Sequence, residues 1–431
     1  MAEESAPQAR REAEAKAFFD KIISPFIDDT LESRQLQPRM VQLIKDNIKK
    51  KETPLHPLPS KHLLTPVATV EEIIDAIRKA KSDKKVLRVA GSKHSVPDAI
   101  FPKDGVTLWL TKELTKIEMQ KETTEDGKKW LYCRVGAGCY LGNNPMDRQS
   151  DIEDSVCYQV ALKGYGFPEL GGIIHQCVGG FMMTGSAGGS LKHSFADVIQ
   201  EIEFVDGNGC RLTAKHGTDL WRAVGVSMGL FGVITHVTFR LPQMKYVEGS
   251  ESNHEFADSM LGPDMTGNSK LKESLEKNEY MRVNWFPQKE VMRVQEWVGK
   301  QTTVGEEVPY NSILSSIFMA GMAALSMAIS NCILQQAELT ETDYDIIGAC
   351  LRPFVPLWAK PVNFRDTWYE TLPMDDKAHT DSIIRVDFTE IWIPSTNVKP
   401  LWIGSSSCSR IRGPPTTLPL RSMAPRSPHS G

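Results

Sequence analysis

The sequence predicts an α+β fold in two main domains, the first glycine-dense and the second a mainly antiparallel sheet. Three observations carry this expectation. Strand and helix signals alternate from Leu63 onward, glycines crowd the stretch from Gly164 to Gly189, and near residue 245 aromatics rise while glycines thin out. At 431 residues the chain has room for two or three domains.

Residues 1–50 read as a polar, helical N-terminal extension with a short apolar stripe at Phe18, Phe19, Ile22, Ile23, Phe26 and Ile27. A lysine-dense run from Lys45 to Glu52 gives way to Pro54, Pro57 and Pro59, which marks a linker. The first domain is expected over 57–243. Thr69 is placed as the N-cap of a helix whose apolar residues Val70, Ile73, Ile74 and Ile77 fall on one face, with Glu72 completing a capping box. Lys85 to Ala90 reads as a short buried strand that runs into Gly91-Ser92-Lys93-His94-Ser95. Further strands are expected at Val106–Leu110, Trp130–Gly138 and Ile199–Val205. The last leads into a hairpin turn at Asp206-Gly207-Asn208-Gly209. Gly229 to Ile234 then turns into a strand over Thr235–Leu241.

The second domain is expected over 246–404. Alternating runs at Tyr280–Trp285 and Val291–Val298 suggest antiparallel strands. The uncharged run Ile313–Leu334 is long enough to span a bilayer, but Ser315, Ser316, Gly321, Ser326, Ser330 and Asn331 weaken it. A buried or half-buried helix is the preferred reading, with a membrane span as the alternative. Residues 405–431 are rich in Ser, Pro and Arg without an acidic residue, and read as a disordered tail.

The chain is 41% hydrophobic and 24% charged with a net charge of −4, which argues against a nucleic-acid partner. The eight cysteines are scattered without a Cys-x-x-Cys pair or zinc spacing, so reduced, packed thiols and no metal site are expected. Residues 1–16 carry charge throughout and no apolar core of a secretory signal, so secretion is not expected.

A pyrophosphate is gripped by backbone N–H groups converging on one concavity, which small residues permit. Gly91 to Ser95, directly after a strand, supplies such a turn, with hydroxyls at Ser92 and Ser95 and a charge at Lys93. By itself this pentapeptide also fits an ordinary serine-capped turn. It is neither a dinucleotide fingerprint nor a P-loop. Its company adds weight. Gly180 to Gly189 reads Gly-Phe-Met-Met-Thr-Gly-Ser-Ala-Gly-Gly, a second place where backbone could approach a flat or anionic group.

Together, Arg88–Ser95, Leu170–Ile173, Val178–Ser186 and Gly229–Ile234 resemble, in order and spacing, the FAD-binding PCMH-type domain of the vanillyl-alcohol oxidase superfamily. The aldonolactone oxidases are the branch most resembled. The match covers about 57–243, with a fainter continuation through Tyr280–Trp297 and Phe388–Pro394. The resemblance implies a two-lobed FAD domain followed by a substrate domain, with the flavin ring between them. It assigns the pyrophosphate to Gly91, Ser92, Lys93, His94 and Ser95, and places Ala90 beside them in the cofactor-binding set. Gly180, Thr184, Gly185 and Ser186 would line the ribityl chain and ring, and Val233 and Ile234 would contact the cofactor by backbone. His94 matches the histidine that in this branch often bonds covalently to flavin C8α; read from its residues alone, it also fits a turn histidine facing solvent.

Two departures stand out. The family's Gly-Thr-His-Gly is replaced here by Gly185-Ser186-Ala187-Gly188, and beyond Ile403 the family pattern gives way to the biased tail, so the second domain is expected to be incomplete and its catalytic groups are not assigned. The activity implied is oxidation of a CH–OH group of a sugar lactone or polyol, with hydride transfer to flavin N5 and reoxidation by O2 or another acceptor. Two alternatives are a flavin-binding but catalytically impaired product and a membrane-associated flavin dehydrogenase. The localisation implied is intracellular, either cytoplasmic or associated with a mitochondrial membrane.

Overall fold

The computed structural model describes residues 64–373, except 94, 96, 145, 146, 148, 149, 263–269, 289, 314–324, 327, 328, 331, 332 and 334–339. The expectations for residues 1–50, for the linker, for Phe388–Pro394 and for the tail lie outside the described residues, as does His94.

A small parallel sheet comes first, made of β1 (Leu64–Val67), β2 (Leu87–Ala90) and β3 (Val106–Leu110) in the order β1-β3-β2. The helix Val70–Ser82 crosses from β1 to β2 and buries Ile73, Ile77 and Ala80. Its Thr69 side chain accepts from the Glu72 amide at 3.2 Å, as expected of an N-cap. The Glu72 carboxylate, however, accepts from the Ala68 amide at 2.7 Å, one residue earlier than a capping box requires. The strand expected at Lys85–Ala90 starts two residues later and is only partly buried. It lies at the sheet edge, so Val86 and Val89 stay exposed.

The second sheet has five strands: β4 (Ile117–Glu125), β5 (Lys128–Gly136), β6 (Ile199–Val205), β7 (Arg211–Lys215) and β8 (Val233–Pro242). They run in the order β4-β5-β8-β6-β7, every neighbour antiparallel. β8 is central and almost wholly buried, which suits its apolar run. β4 escapes the sequence reading because most of its residues are polar and face solvent.

The third sheet is also antiparallel: β9 (Tyr246–Glu255), β10 (Tyr280–Phe286), β11 (Arg293–Thr302) and β12 (Val362–Thr367) in the order β10-β11-β9-β12. The helix Lys270–Lys277 sets Leu271 and Leu275 in one cluster with Met281, Val283 and Trp285. Across the opposite face, Tyr280, Trp297, Phe364 and Trp368 join the same core as Phe167, Phe181 and Phe239. One continuous core therefore runs beneath all three sheets.

In the run Ile313–Leu334 the described residues Ile313, Leu325, Ser326, Ser330 and Ile333 are buried. No helix among the described residues is long and apolar enough to cross a membrane. Of the described cysteines, Cys133, Cys139, Cys157 and Cys177 are buried thiols outside any disulfide, which fits their reading as packed thiols.

Trp368 is fully buried, edge-on to Phe167 at 5.9 Å, whereas Trp358 is 71% exposed. Trp368→Ala should therefore lower unfolding free energy by about 3–5 kcal/mol in urea titration. Trp358→Ala should change it by less than about 0.5 kcal/mol.

Candidate functional site

The site grows from the chain between Tyr140 and Gly189. Residues 174–177 pair with residues 140–142, which follow β5: Gly142 N donates to Ile174 O at 2.6 Å and Leu141 N to Gln176 O at 2.9 Å. On the other side of this segment stands the loop after β2. Ser92 Oγ donates to His175 O at 2.5 Å, and a Cβ on Gly91 would lie 3.2 Å from Cys177 Cβ. Gly91 and Ser92 are thus pinned against Cys177. Lys93 turns the chain with a φ of +66°, a conformation that costs a non-glycine residue energy and is often found at ligand loops. Ala90 is buried beneath, and Ser95 is exposed.

Cys177 immediately precedes the helix Val178–Met183, in a stretch whose composition reads as tight turns. Gly179 lets this helix approach the sheet, its amide donating to Ala137 O at 2.9 Å. Six helical residues span about 9 Å. The Gly91–Ser92 turn therefore meets one end of the helix, and Thr184, Gly185 and Ser186 form the other. There Gly185 has a φ of +63°, and Thr184 Oγ1 lies 3.1 Å from Ser186 Oγ. A Cβ on Gly180 would meet nothing within 4 Å among the described residues, so toward them this face of the helix is open. Val233 and Ile234 lie behind, with side chains buried and backbone paired to Val205 and Phe204, so main-chain atoms are what they offer.

The loop 226–231 flanks the open face. A Cβ on Gly185 would touch Val226, and Met228 N donates to Met183 O at 3.2 Å. Val226, Met228 and Leu230 are exposed by 64%, 68% and 80%. An apolar rim beside an open glycine face suits a flat, largely apolar group. Burial pushes the Cys177 thiol up to about 11, partly offset by hydrogen bonds from Ser92, so it stays neutral and is no nucleophile.

Not every glycine in this region serves a ligand. A Cβ on Gly188 would lie 2.3 Å from Leu170 O, and one on Gly189 only 1.9 Å from Met281 O. Both are required by the protein's own backbone. Sequence reasoning also missed Glu169, which is 4% exposed and accepts from the Gly188 amide at 3.0 Å and the Phe195 amide at 3.1 Å. Its signal was a lone carboxylate between Pro168 and a glycine pair. Glu169, Leu170, Gly188, Gly189, Arg282 and Trp297 line a narrow cleft where β10 and β11 meet this segment. In it the Arg282 guanidinium stacks over Trp297 at 4.0 Å and donates to Leu372 O. Further along the same sheet, buried Glu251 accepts from the Tyr310 hydroxyl, from Ile313 N at 2.9 Å and from Gln295 Nε2 at 3.2 Å.

At the seam itself Glu279 Oε1 lies 2.6 Å from His193 Nε2, and Glu279 Oε2 accepts from Gln301 N at 2.8 Å. Burial alone would raise this carboxyl. The hydrogen bonds from His193 and Gln301, and the nearby charges, outweigh that and hold it below the usual carboxylate range.

No family model matches the chain. Among curated proteins it is similar to D-arabinono-1,4-lactone oxidase of Debaryomyces hansenii, 25% identical over 238 residues, which covers 51% of this chain and 37% of that protein. The Saccharomyces cerevisiae D-arabinono-1,4-lactone oxidase is 23% identical, over 57% of this chain and 42% of that protein. L-gulonolactone oxidase of Mus musculus is 26% identical, over 52% and 45%. The matches span less than half the length of these relatives. Among solved structures, cholesterol oxidase from B. sterolicum superimposes with a TM-score of 0.53 over 75% of this chain and 60% of that one, at 14% identity.

Two substitutions test the seam. Gly189→Ala forces a methyl into a backbone carbonyl and should cost about 1–3 kcal/mol in urea titration. For Glu279, a lowered folded pKa means its stabilisation is present above the unfolded value and lost as pH falls through the folded one. Wild-type stability should therefore drop below about pH 4.5, and Glu279→Gln should flatten that part of the stability–pH curve; an unchanged slope would show the carboxylate is not held by the fold. Over about half of its length the chain is a homologue of the D-arabinono-1,4-lactone and L-gulonolactone oxidases, on an α+β fold that it shares with a cholesterol oxidase.

Proposed function

We propose that this chain is an FAD-dependent oxidoreductase that acts on a CH–OH group of a small sugar lactone or polyol, in the manner of a D-arabinono-1,4-lactone oxidase. One observation carries the reading. The Gly91–Ser92 turn and the Thr184–Ser186 turn sit at opposite ends of a single six-residue helix, whose Gly180 faces open space beside an apolar rim. That separation, about 9 Å, is comparable to an extended ribityl chain, which joins the pyrophosphate of FAD to its ring. The curated relatives named lactone oxidases align over about half of this chain, which supports the same choice.

The residues fit the group in chemical kind. Backbone amides of 91–95 and the hydroxyls of Ser92 and Ser95 would bind the pyrophosphate, with Lys93 supplying positive charge. Gly180, Thr184, Gly185 and Ser186 would flank the ribityl chain and ring, and Val226 and Leu230 would keep water from one edge. The main chain at Val233 and Ile234 would complete the binding surface. FAD when bound supplies the redox chemistry, taking two electrons from a CH–OH carbon and passing them to O2 or another acceptor. By its match to the family histidine, His94 would carry a covalent bond to the cofactor.

The test is an absorbance spectrum of the purified protein after FAD addition and desalting, before and after acid precipitation. Flavin bands that stay with the protein are expected, and colour in the acid pellet that His94→Ala abolishes is expected for the covalent bond. A stable protein that remains colourless would overturn the reading. Turnover is then assayed with D-arabinono-1,4-lactone and L-gulono-1,4-lactone, with reduction of the bound flavin as the expected result.

A further inference from the structure

The segment from Gly188 to Phe195 joins the Thr184–Ser186 turn to the second sheet of the fold, and it is held from both sides. From the first half of the chain, Glu169 takes the amides of Gly188 and Phe195. From the second half, Met281 N donates to Gly189 O at 2.6 Å and Ser190 Oγ donates to Glu279 O at 2.7 Å. Ser190 Oγ also accepts from the Lys192 and His193 amides, both at 3.1 Å.

These contacts close into a ring. His193 reaches Glu279, whose other oxygen takes the Gln301 amide. Gln301 Nε2 donates to Tyr280 Oη at 2.7 Å, and Tyr280 Oη donates to Pro168 O, also at 2.7 Å. Pro168 adjoins Glu169, which returns the path to the segment. Tyr280 is 2% exposed, and the His193 and Tyr280 rings lie 5.5 Å apart. A part-buried ring of this kind, with a carboxylate at two of its nodes, defines one geometry far more sharply than separate surface contacts would.

We propose that this ring, with Glu279 as its central positioning residue, fixes the angle at which β10 and β11 meet the Thr184–Ser186 turn. It thereby sets the orientation of a flat cofactor bound on that turn relative to the sheet face above it. This rests on the function proposed above only for the identity of the cofactor. Sites of this kind lose rate steeply with misplacement of about 1 Å, so a group remote from the reacting atoms can still govern them.

The experiment compares hydrogen exchange of the full chain without cofactor, then visible circular dichroism of the FAD-loaded protein, for wild type, Glu279→Ala and Glu279→Gln. Glu279→Ala should speed exchange in residues 188–195 by roughly tenfold or more while β5 and β8 keep wild-type protection. It should also change the dichroism of bound flavin with little change in FAD affinity. Glu279→Gln, whose Oε1 can still accept from Gln301 N while its side-chain NH2 donates to His193 Nε2 in the Nδ1–H tautomer, should restore most of both signals. Wild-type exchange in 188–195 for Glu279→Ala, or an equal rise across the whole chain, would overturn the proposal. If Glu279→Ala does not fold, Tyr280→Phe, which keeps the aromatic side chain but removes the hydroxyl that links Gln301 to Pro168, is read by the same criteria. A wild-type protein that takes up no FAD contradicts the proposed function, while the exchange comparison still decides the ring.

Discussion

The approach of Gly189 to the Met281 carbonyl is the constraint on which the rest of the structure hangs. No side chain fits between them, since a Cβ would stand 1.9 Å from the oxygen. That contact lets β10, an edge strand of the third sheet, lie directly along the glycine-rich segment. With β10 held there, Tyr280 and Trp297 enter the core that Phe167, Phe181 and Phe239 build from the other side. The two halves of the chain consequently share apolar burial, the dominant stabilising term in folding. A hinged pair of independent domains would lack it.

The seam and the proposed cofactor face use opposite chemistry. At the seam, the buried carboxylates of Glu169 and Glu251 and the partly buried one of Glu279 each accept two or three donors from backbone amides and side chains, which offsets the cost of taking a charge out of water. At the other face, Gly180 is bare and Val226, Met228 and Leu230 stand out in solvent. Exposed apolar side chains grouped around an unfilled backbone surface are unfavourable unless something covers them. Rigid polar bonding thus lies where geometry must be held, and apolar exposure where a flat molecule would bind.

Much of this was legible in the residues. Thr69 as a cap, the strands at 106–110 and 199–205, and the hairpin at Asp206–Gly209 follow from local chemistry that tertiary contacts do not override. The glycine-rich segments were visible too, but not their separate reasons. Gly180 and Gly188 look alike in sequence; only the fold reveals that one faces open space and the other faces Leu170 O. β4 stayed hidden because a solvent-facing strand needs little apolar alternation. The seam carboxylates stayed hidden because Glu169 and Glu279 are 110 residues apart, and no local pattern signals a partner at that range.

The central claim is that FAD lies along the open face of the helix Val178–Met183. Calorimetric titration of FAD into wild type and Gly180→Leu tests it most directly. A Cβ at this position meets no atom of the described residues, and leucine is a better helix former than glycine, so the melting temperature of the variant should hold or rise. The account predicts that FAD nevertheless binds the variant at least roughly tenfold more weakly, a loss of about 1.4 kcal/mol. Equal affinity in the two proteins would place the cofactor elsewhere and contradict it.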